Sequence, residues 1–205
     1  MTASKRRFVA PALAAVIFAA ALLSACTREP DTRALLESGM DVSTIRRLHE
    51  LKVTEEEVPE LLKVQQAGLS GNGCIELMRI YRWRNVPFTE GDAVASLVRA
   101  QLREETVLEL VRFGKLDMWA GEYQLMRMAG MSETLILTVA RRRAEGRTTV
   151  SGAGLAKLKN TGIREATLLE LAHRGISDAD ADMIFVLRRR GASESDILRR
   201  FQSRD

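Results

Sequence analysis

Residues 103–114 read REETVLELVRFG, and residues 164–175 read REATLLELAHRG. Seven of the twelve aligned positions are identical, from the shared Arg-Glu at the start to the shared glycine at the end. Self-similarity at a fixed offset is the signature of proteins built from stacked structural units. The chain is therefore expected to contain a repeated unit, and the rest of the sequence can be aligned to it.

A short junction recurs throughout this unit: glycine, then an apolar residue, then Ser, Thr or Asp. Clear examples are Gly39-Met40-Asp41, Gly130-Met131-Ser132 and Gly175-Ile176-Ser177. Looser copies begin at Lys52, Gln101 and Gly162. The first positions of the junctions fall in three triplets with the same internal spacing: 39, 52, 68; 101, 114, 130; and 162, 175, 191. The triplets themselves follow one another at nearly equal intervals, which supports the register of the repeat.

Each junction has a physical interpretation. Glycine readily adopts the left-handed conformation that ends a helix, and the apolar residue after it packs back on the last turn. The following Ser, Thr or Asp accepts hydrogen bonds from the free N–H groups of the next helix. Gly146 lacks this pattern and is expected to be an ordinary loop glycine.

The sequence therefore predicts an all-α fold of about eleven short helices joined by tight turns, with an internal repeat of about 61 residues. The repeats cover residues 39–100, 101–161 and a truncated 162–205. Helices of about ten residues are marginal alone, so neighbouring units must stabilise one another. Both a solenoid-like stack and a compact orthogonal packing satisfy this requirement. Met126, Met128 and Met183 are expected to fill the core.

The first 26 residues differ from the rest of the chain. Lys5, Arg6 and Arg7 precede an apolar run over residues 8–23, which is shorter than the roughly 20 residues of a transmembrane helix. The run leads into Leu23-Ser24-Ala25-Cys26. This order of a charged region, an apolar region and a terminal cysteine resembles the lipobox-type signal peptide of bacterial lipoproteins.

The resemblance covers residues 1–26 only, and it implies a specific processing. Residues 1–25 would be a removed signal peptide, residues 26–30 a lipidated tether, and residues 31–205 the helical-repeat domain. Cys26 would carry the lipid and hold the protein on a membrane. Because Thr27 is not aspartate, the resemblance implies the periplasmic side of the outer membrane in a source with two membranes. An ordinary export signal or an uncleaved anchor is the alternative.

Charge and cysteine content give no support for a nucleic-acid partner or for a reactive thiol. The chain has 31 basic and 27 acidic residues, and removal of Lys5, Arg6 and Arg7 leaves 28 against 27. A net charge of +1 gives no reason to expect nucleic acid as a partner. Cys74 is then the one cysteine outside the signal region, and a buried, hydrophobic role is favoured over a reactive thiol.

No catalytic constellation is recognisable. His49 and His173 have no second His or Cys at metal-ligand spacing, and no nucleophile elbow, zinc-protease or phosphate-loop motif occurs. No catalytic residue, metal or cofactor is therefore assigned. The expected partner, besides the membrane, is another envelope protein or a cell-wall component.

Two sets of side chains are candidates for binding. Aromatic residues and arginine dominate interface hot spots, although core packing is the alternative for each aromatic. The candidate partner contacts are Tyr81, Trp83, Arg84, Phe88, Trp119 and Tyr123. Arginines near helix C-termini either complement the helix dipole or contact an anionic surface. The candidate contacts to an anionic surface are Arg141, Arg142, Arg143, Arg188, Arg189 and Arg190.

Two functions follow as hypotheses. The leading one is a lipid-anchored envelope lipoprotein that acts as a non-enzymatic helical-repeat interaction or scaffold protein. The alternative is an enzyme, or an enzyme accessory, acting on cell-wall or lipid substrates. The two differ in what the exposed surface should carry: an apolar or aromatic face for the first, and a pocket lined by Glu and Asp for the second.

Overall fold

The computed structural model describes residues 31–147 and 149–201, and the lipobox-type segment with Cys26 lies outside them. Within these ranges the fold is all-α, with twelve helices rather than about eleven and no strand. The helices are α1 (Arg33–Glu37), α2 (Val42–Glu50), α3 (Glu57–Gln66), α4 (Gly71–Arg84), α5 (Gly91–Arg99), α6 (Glu104–Phe113), α7 (Leu116–Met128), α8 (Glu133–Ala144), α9 (Gly152–Asn160), α10 (Glu165–His173), α11 (Asp178–Arg189) and α12 (Glu194–Arg200).

The helices form two layers. Each helix packs on the helices two places before and after it, so that α1, α3, α5, α7, α9 and α11 form an odd layer and the other six form an even layer. Each odd helix also packs on the even helix that follows it. Within the described chain, helices more than two places apart make no packing contact. The described chain is therefore a linear, solenoid-like stack of six helical hairpins, and each full repeat contributes four helices, two to each layer.

One continuous core lies between the layers. It includes Leu61, Tyr123 and Ile184, which occupy matching positions in three odd helices. Cys74 is fully buried in this core, as the sequence predicts. Burial raises the pKa of its thiol to about 12, and the negative charge of Glu104 adds to the effect. The thiol is therefore protonated and inaccessible, which argues against a reactive cysteine.

The predicted helix stops are confirmed. All nine junction positions have a positive φ, including the non-glycine residues Lys52 (54°) and Gln101 (59°). At seven of them the amide of the following apolar residue bonds back to the last turn, as in Met131 N to Met126 O at 3.1 Å. Gly146 also has a positive φ of 72°, and Arg147 N donates to Arg142 O at 2.9 Å, so the expectation of an ordinary loop glycine is wrong. The stop needs only the left-handed residue, whereas the apolar residue after it is dispensable.

Glutamates join the N-termini of successive even helices. The glutamate that begins an even helix accepts a hydrogen bond through its carboxylate. The donor is the backbone N–H of the residue just before the preceding even helix. These carboxylate clasps are Ser70 to Glu104 (3.0 Å), Arg103 to Glu133 (3.2 Å), Ser132 to Glu165 (2.8 Å) and Arg164 to Glu194 (3.4 Å). Each clasp thus satisfies a free helix-end donor with a charge from the next hairpin.

The sequence match between the two opening stretches reflects two equivalent clasps. The guanidinium of Arg103 binds Glu133 at 2.9 Å, and the hydroxyl of Thr106 donates to the same carboxylate. In the later copy, Arg164 and Thr167 bind Glu194 in the same way. Burial raises the pKa of Glu133, but these hydrogen bonds outweigh it and hold the pKa below its ordinary value. The pKa values of Glu165 and Glu194 are lowered by the same balance.

We expect Gly130→Ala to destabilise the protein by roughly 1 kcal/mol, because a Cβ is strained in the left-handed region. Apart from the adjoining residues of the chain, no heavy atom of the described residues lies within 4 Å of a Cβ at this site, so conformation alone causes the loss. Gln101→Gly should stabilise the protein for the converse reason. Gly121→Ala, in the middle of α7 and equally unobstructed, is the matched control and should stabilise by about 0.5–1 kcal/mol. Urea unfolding of the three variants provides the measurement, and similar effects at Gly130 and Gly121 would contradict the helix-stop assignment.

Glu133→Gln should lower the free energy of unfolding at neutral pH by about 1–3 kcal/mol, since it removes the charge from hydrogen bonds to Arg103 and Thr106. The folded-state pKa of Glu133 is lowered, so its stabilising effect is present above the unfolded value of about 4.3 and is lost as the pH falls below it. Unfolding at pH 7 and pH 3 should therefore show a larger acid-induced loss in the parent than in the variant. The exposed Glu105 serves as a control, and an equal effect of Glu105→Gln would exclude the clasp as the cause.

Candidate interaction surfaces

Three of the candidate aromatics lie in the core. Tyr81, Phe88 and Tyr123 are buried, and the rings of Tyr81 and Phe88 are 4.9 Å apart. The Tyr81 hydroxyl donates to Glu90, and burial together with that carboxylate raises the pKa of Tyr81. These side chains do not reach the surface, so the core-packing alternative describes their position.

Trp119 is half-buried beneath an arginine. The guanidinium of Arg143 lies 4.2 Å from the centre of the Trp119 ring and 5.5 Å from that of Tyr123. The same guanidinium donates to Glu122 at 2.6 Å and to the Val150 carbonyl at 3.3 Å. Trp119 and Arg143 therefore belong to an internal cation–π cluster and contribute little accessible surface.

The two arginine triplets do not form contiguous cationic patches. Arg142 donates to the His173 carbonyl at 2.5 Å, and Arg188 donates to the Ala192 carbonyl at 3.0 Å. Both bonds satisfy backbone acceptors near helix ends, as the dipole alternative requires. Arg141 is exposed beside Glu109, at 3.4 Å. Arg189 lies over the Phe185 ring, and Arg190 is exposed.

Trp83 and Arg84 lie together at the surface, as the sequence suggests. Trp83 is 86% exposed in the last turn of α4. It borders an apolar hollow of about 480 Å³ whose other lining residues are Arg79, Ile80, Arg84 and Arg112. Arg84 donates to the Arg112 carbonyl at 2.5 Å, which joins the C-terminal ends of α4 and α6.

A second exposed apolar surface lies on α7 and was not found from the sequence. Met118 is 65% exposed, Leu125 40% and Met128 75%. With Gly121 they fall within an arc of about 80° at 100° per residue, opposite the buried side of the helix. These four residues are called the α7 stripe below. Met128 and the partly exposed Met183 are therefore not core filler; only Met126 is buried, because it lies on the inner side of α7.

Gly121 has no structural requirement within the described chain. Its φ lies outside the left-handed region, and a Cβ at this position would meet no heavy atom within 4 Å. Glycine in the middle of a helix costs roughly 0.5–1 kcal/mol relative to alanine. The fold therefore gives no reason for glycine at the centre of an exposed apolar stripe.

Ion pairs flank the α7 stripe within the odd layer. Lys63 of α3 binds Asp92 of α5 at 2.8 Å on one side. Lys157 of α9 binds Asp182 of α11 at 2.7 Å on the other side. Because α7 packs between α5 and α9, the apolar stripe has polar borders on both sides. An apolar centre with a polar rim is the usual composition of a protein–protein interface.

Carboxylates gather at one edge of the odd layer. Burial and the negative charges of Glu90 and Glu60 raise the pKa of Asp117. However, Glu60 accepts a hydrogen bond from Gly91 N at 2.9 Å, and Glu90 accepts one from Asp117 N at 3.3 Å. These acids therefore bind the N-termini of the next odd helices. Across the part of the chain that the structure describes, no group of three or more His, Cys, Asp or Glu residues could hold a metal ion.

No family model matches the chain, and no curated protein matches it at a significant level. Among residues 31–147 and 149–201, no helix combines the length and apolar character that crossing a bilayer requires.

Proposed function

We propose that the protein is a lipid-anchored lipoprotein of the bacterial envelope that acts as a non-enzymatic helical-repeat interaction or scaffold protein. Cys26 would be the site of acylation, and the stack would bind another envelope component. In a source with two membranes, the protein would lie on the periplasmic side of the outer membrane. The observation that carries the interaction role is the α7 stripe, an exposed apolar surface with a glycine at its centre.

The α7 stripe is best suited to a helix of a partner protein. A helix that crosses α7 at Gly121 can approach its backbone closely, because no side chain intervenes. Met118 and Met128 are unbranched and flexible, so they can adapt to the apolar face of the incoming helix. The Lys63–Asp92 and Lys157–Asp182 pairs then form the polar rim.

An enzymatic role has less support from the described residues. No carboxylate lines the hollow beside Trp83. A second hollow, of about 320 Å³ near the end of the described chain, has Asp196 as the one carboxylate in its lining. Glu60 and Glu90 use oxygens to bind backbone N–H groups. An acid–base mechanism needs carboxyl groups that converge on open space for a substrate.

Photocrosslinking tests the interaction surface. A benzophenone amino acid at Leu125 should give a discrete adduct with a helical segment of one envelope protein, whereas the same group at Thr134, exposed on α8, should not. In the Leu125-labelled protein, Gly121→Leu should abolish the adduct by blocking close approach, while Gly121→Ala should reduce it less. Both substitutions should preserve the fold, since they replace a helical glycine. An adduct that survives Gly121→Leu, or that contains glycan instead of protein, would refute the helix-docking proposal.

Cys26→Ser should leave the protein unprocessed or release it from the membrane fraction, because the serine hydroxyl replaces the thiol that accepts the lipid. Mass spectrometry and membrane fractionation of the parent and the variant provide the measurement. Cys74→Ser is the matched control, and it should leave lipidation unchanged because Cys74 is buried in the core. Equal maturation and equal membrane retention of Cys26→Ser would rule out the lipoprotein assignment.

A further inference from the structure

A row of basic side chains crosses the outer face of the even layer. Counted from the N-cap residues Ser70, Arg103, Ser132 and Arg164, the ninth following residue is Arg79, Arg112, Arg141 and His173. All four side chains are exposed. Their helices α4, α6, α8 and α10 pack in that order. The shared register therefore aligns them in one row, which a reading of consecutive sequence does not reveal.

Trp83 extends this basic row with a large apolar surface. It lies one helical turn beyond Arg79 on the same side of α4, and its exposure of 86% shows that no neighbour among the described residues covers the ring. Arg84 and Arg112 line the adjoining hollow. An exposed indole therefore lies among guanidinium groups on one surface.

These positive charges are weakly neutralised. Within the described ranges, Arg112 makes no side-chain hydrogen bond or ion pair, and the side-chain bond of Arg84 goes to an uncharged carbonyl. Arg79 is paired with Glu76 and Arg141 with Glu109, but all four partners are solvent-accessible. Such pairs contribute little energy and leave the arginines able to bind a stronger anion.

We propose that Trp83 and the basic row formed by Arg79, Arg112 and Arg141 bind the surface of an anionic phospholipid bilayer. Indole rings favour the headgroup level of a bilayer, where their apolar body and N–H donor are both satisfied. Guanidinium groups bind phosphate in a bidentate manner. The even layer would then lie against the lipid, and the α7 stripe on the odd layer would face away from it.

A lipid surface fits this arrangement better than an acidic protein does. The arginines spread across three neighbouring helices, and Trp83 projects outward, whereas an interface hot spot is usually enclosed in a well-packed pocket. The inference goes beyond the proposed function and does not depend on acylation of Cys26. It assigns a second, reversible membrane contact that would orient the stack.

Tryptophan quenching in the full-length protein, reconstituted into vesicles, tests the proposal. The Trp119→Phe variant reports Trp83 alone, and the Trp83→Phe variant reports the half-buried Trp119. Brominated lipid in phosphatidylglycerol-containing vesicles should quench Trp83 strongly at low salt, and quenching should weaken in pure phosphatidylcholine or in high salt. Trp119 should remain unquenched in every vesicle.

In the Trp119→Phe background, Arg112→Gln should lower the docked-to-undocked ratio about fivefold at low salt, which corresponds to about 1 kcal/mol for one arginine at an anionic surface. Arg99→Gln removes the same charge from an exposed position on the odd layer and should leave the ratio unchanged. Equal quenching in anionic and neutral vesicles, or no effect of Arg112→Gln, would overturn the proposal. A further outcome would also overturn it: lipid does not quench Trp83, whereas added polyglutamate protects Trp83 from quenching by acrylamide. That result would assign the surface to an acidic polypeptide.

Discussion

The unpaired backbone groups at helix ends are the constraint on which this structure depends. A short helix has as many free N–H and C=O groups as a long one, so the twelve short helices of the described chain present a large number of them. Side chains of neighbouring hairpins satisfy many of these groups. Glu133 and Glu194 bind N–H groups that precede the previous even helix, and Arg84 and Arg142 bind carbonyls at the end of the next one. Each hairpin is therefore completed by its neighbours, which favours a linear stack over isolated units.

This constraint also determines which charged residues remain available for partners. Arg142 and Arg143 stand next to Arg141 in the sequence, but the first binds a helix-end carbonyl and the second is enclosed with Trp119 and Glu122. Arg112 lies on the outer face, and its guanidinium is unpaired among the described residues. A cluster of like charges in a helical repeat is therefore a poor guide to a binding surface, because the structural role of each residue depends on its angle around the helix.

The two outer faces differ in chemistry. The odd layer carries an apolar stripe centred on Gly121, whereas the even layer carries Trp83 and a row of arginines. Residues that the fold explains, such as the glutamates of the clasps, are engaged between hairpins. Gly121 and Trp83 have no such explanation. Gly121 makes α7 less stable than alanine would, and Trp83 leaves exposed an apolar ring that a monomer would gain from burying. The proposals for a partner helix and for a lipid surface both rest on residues of this second kind, and the two surfaces lie on opposite faces of the stack.

The sequence by itself determined the helical class, the repeat length and the positions of the helix stops, because these depend on local chemistry: the left-handed residue at Gly130 or Gln101 and the hydrogen-bonding residue that follows it. It also identified Trp83 and Arg84 among the candidate binding residues. Only the tertiary structure decided that the four helices of one repeat alternate between the two layers of a linear stack, and that Tyr81 is buried while Met128 is exposed. These outcomes depend on which side of each helix faces the adjoining layer, and on side chains distant in sequence that the chain brings into register only when it folds.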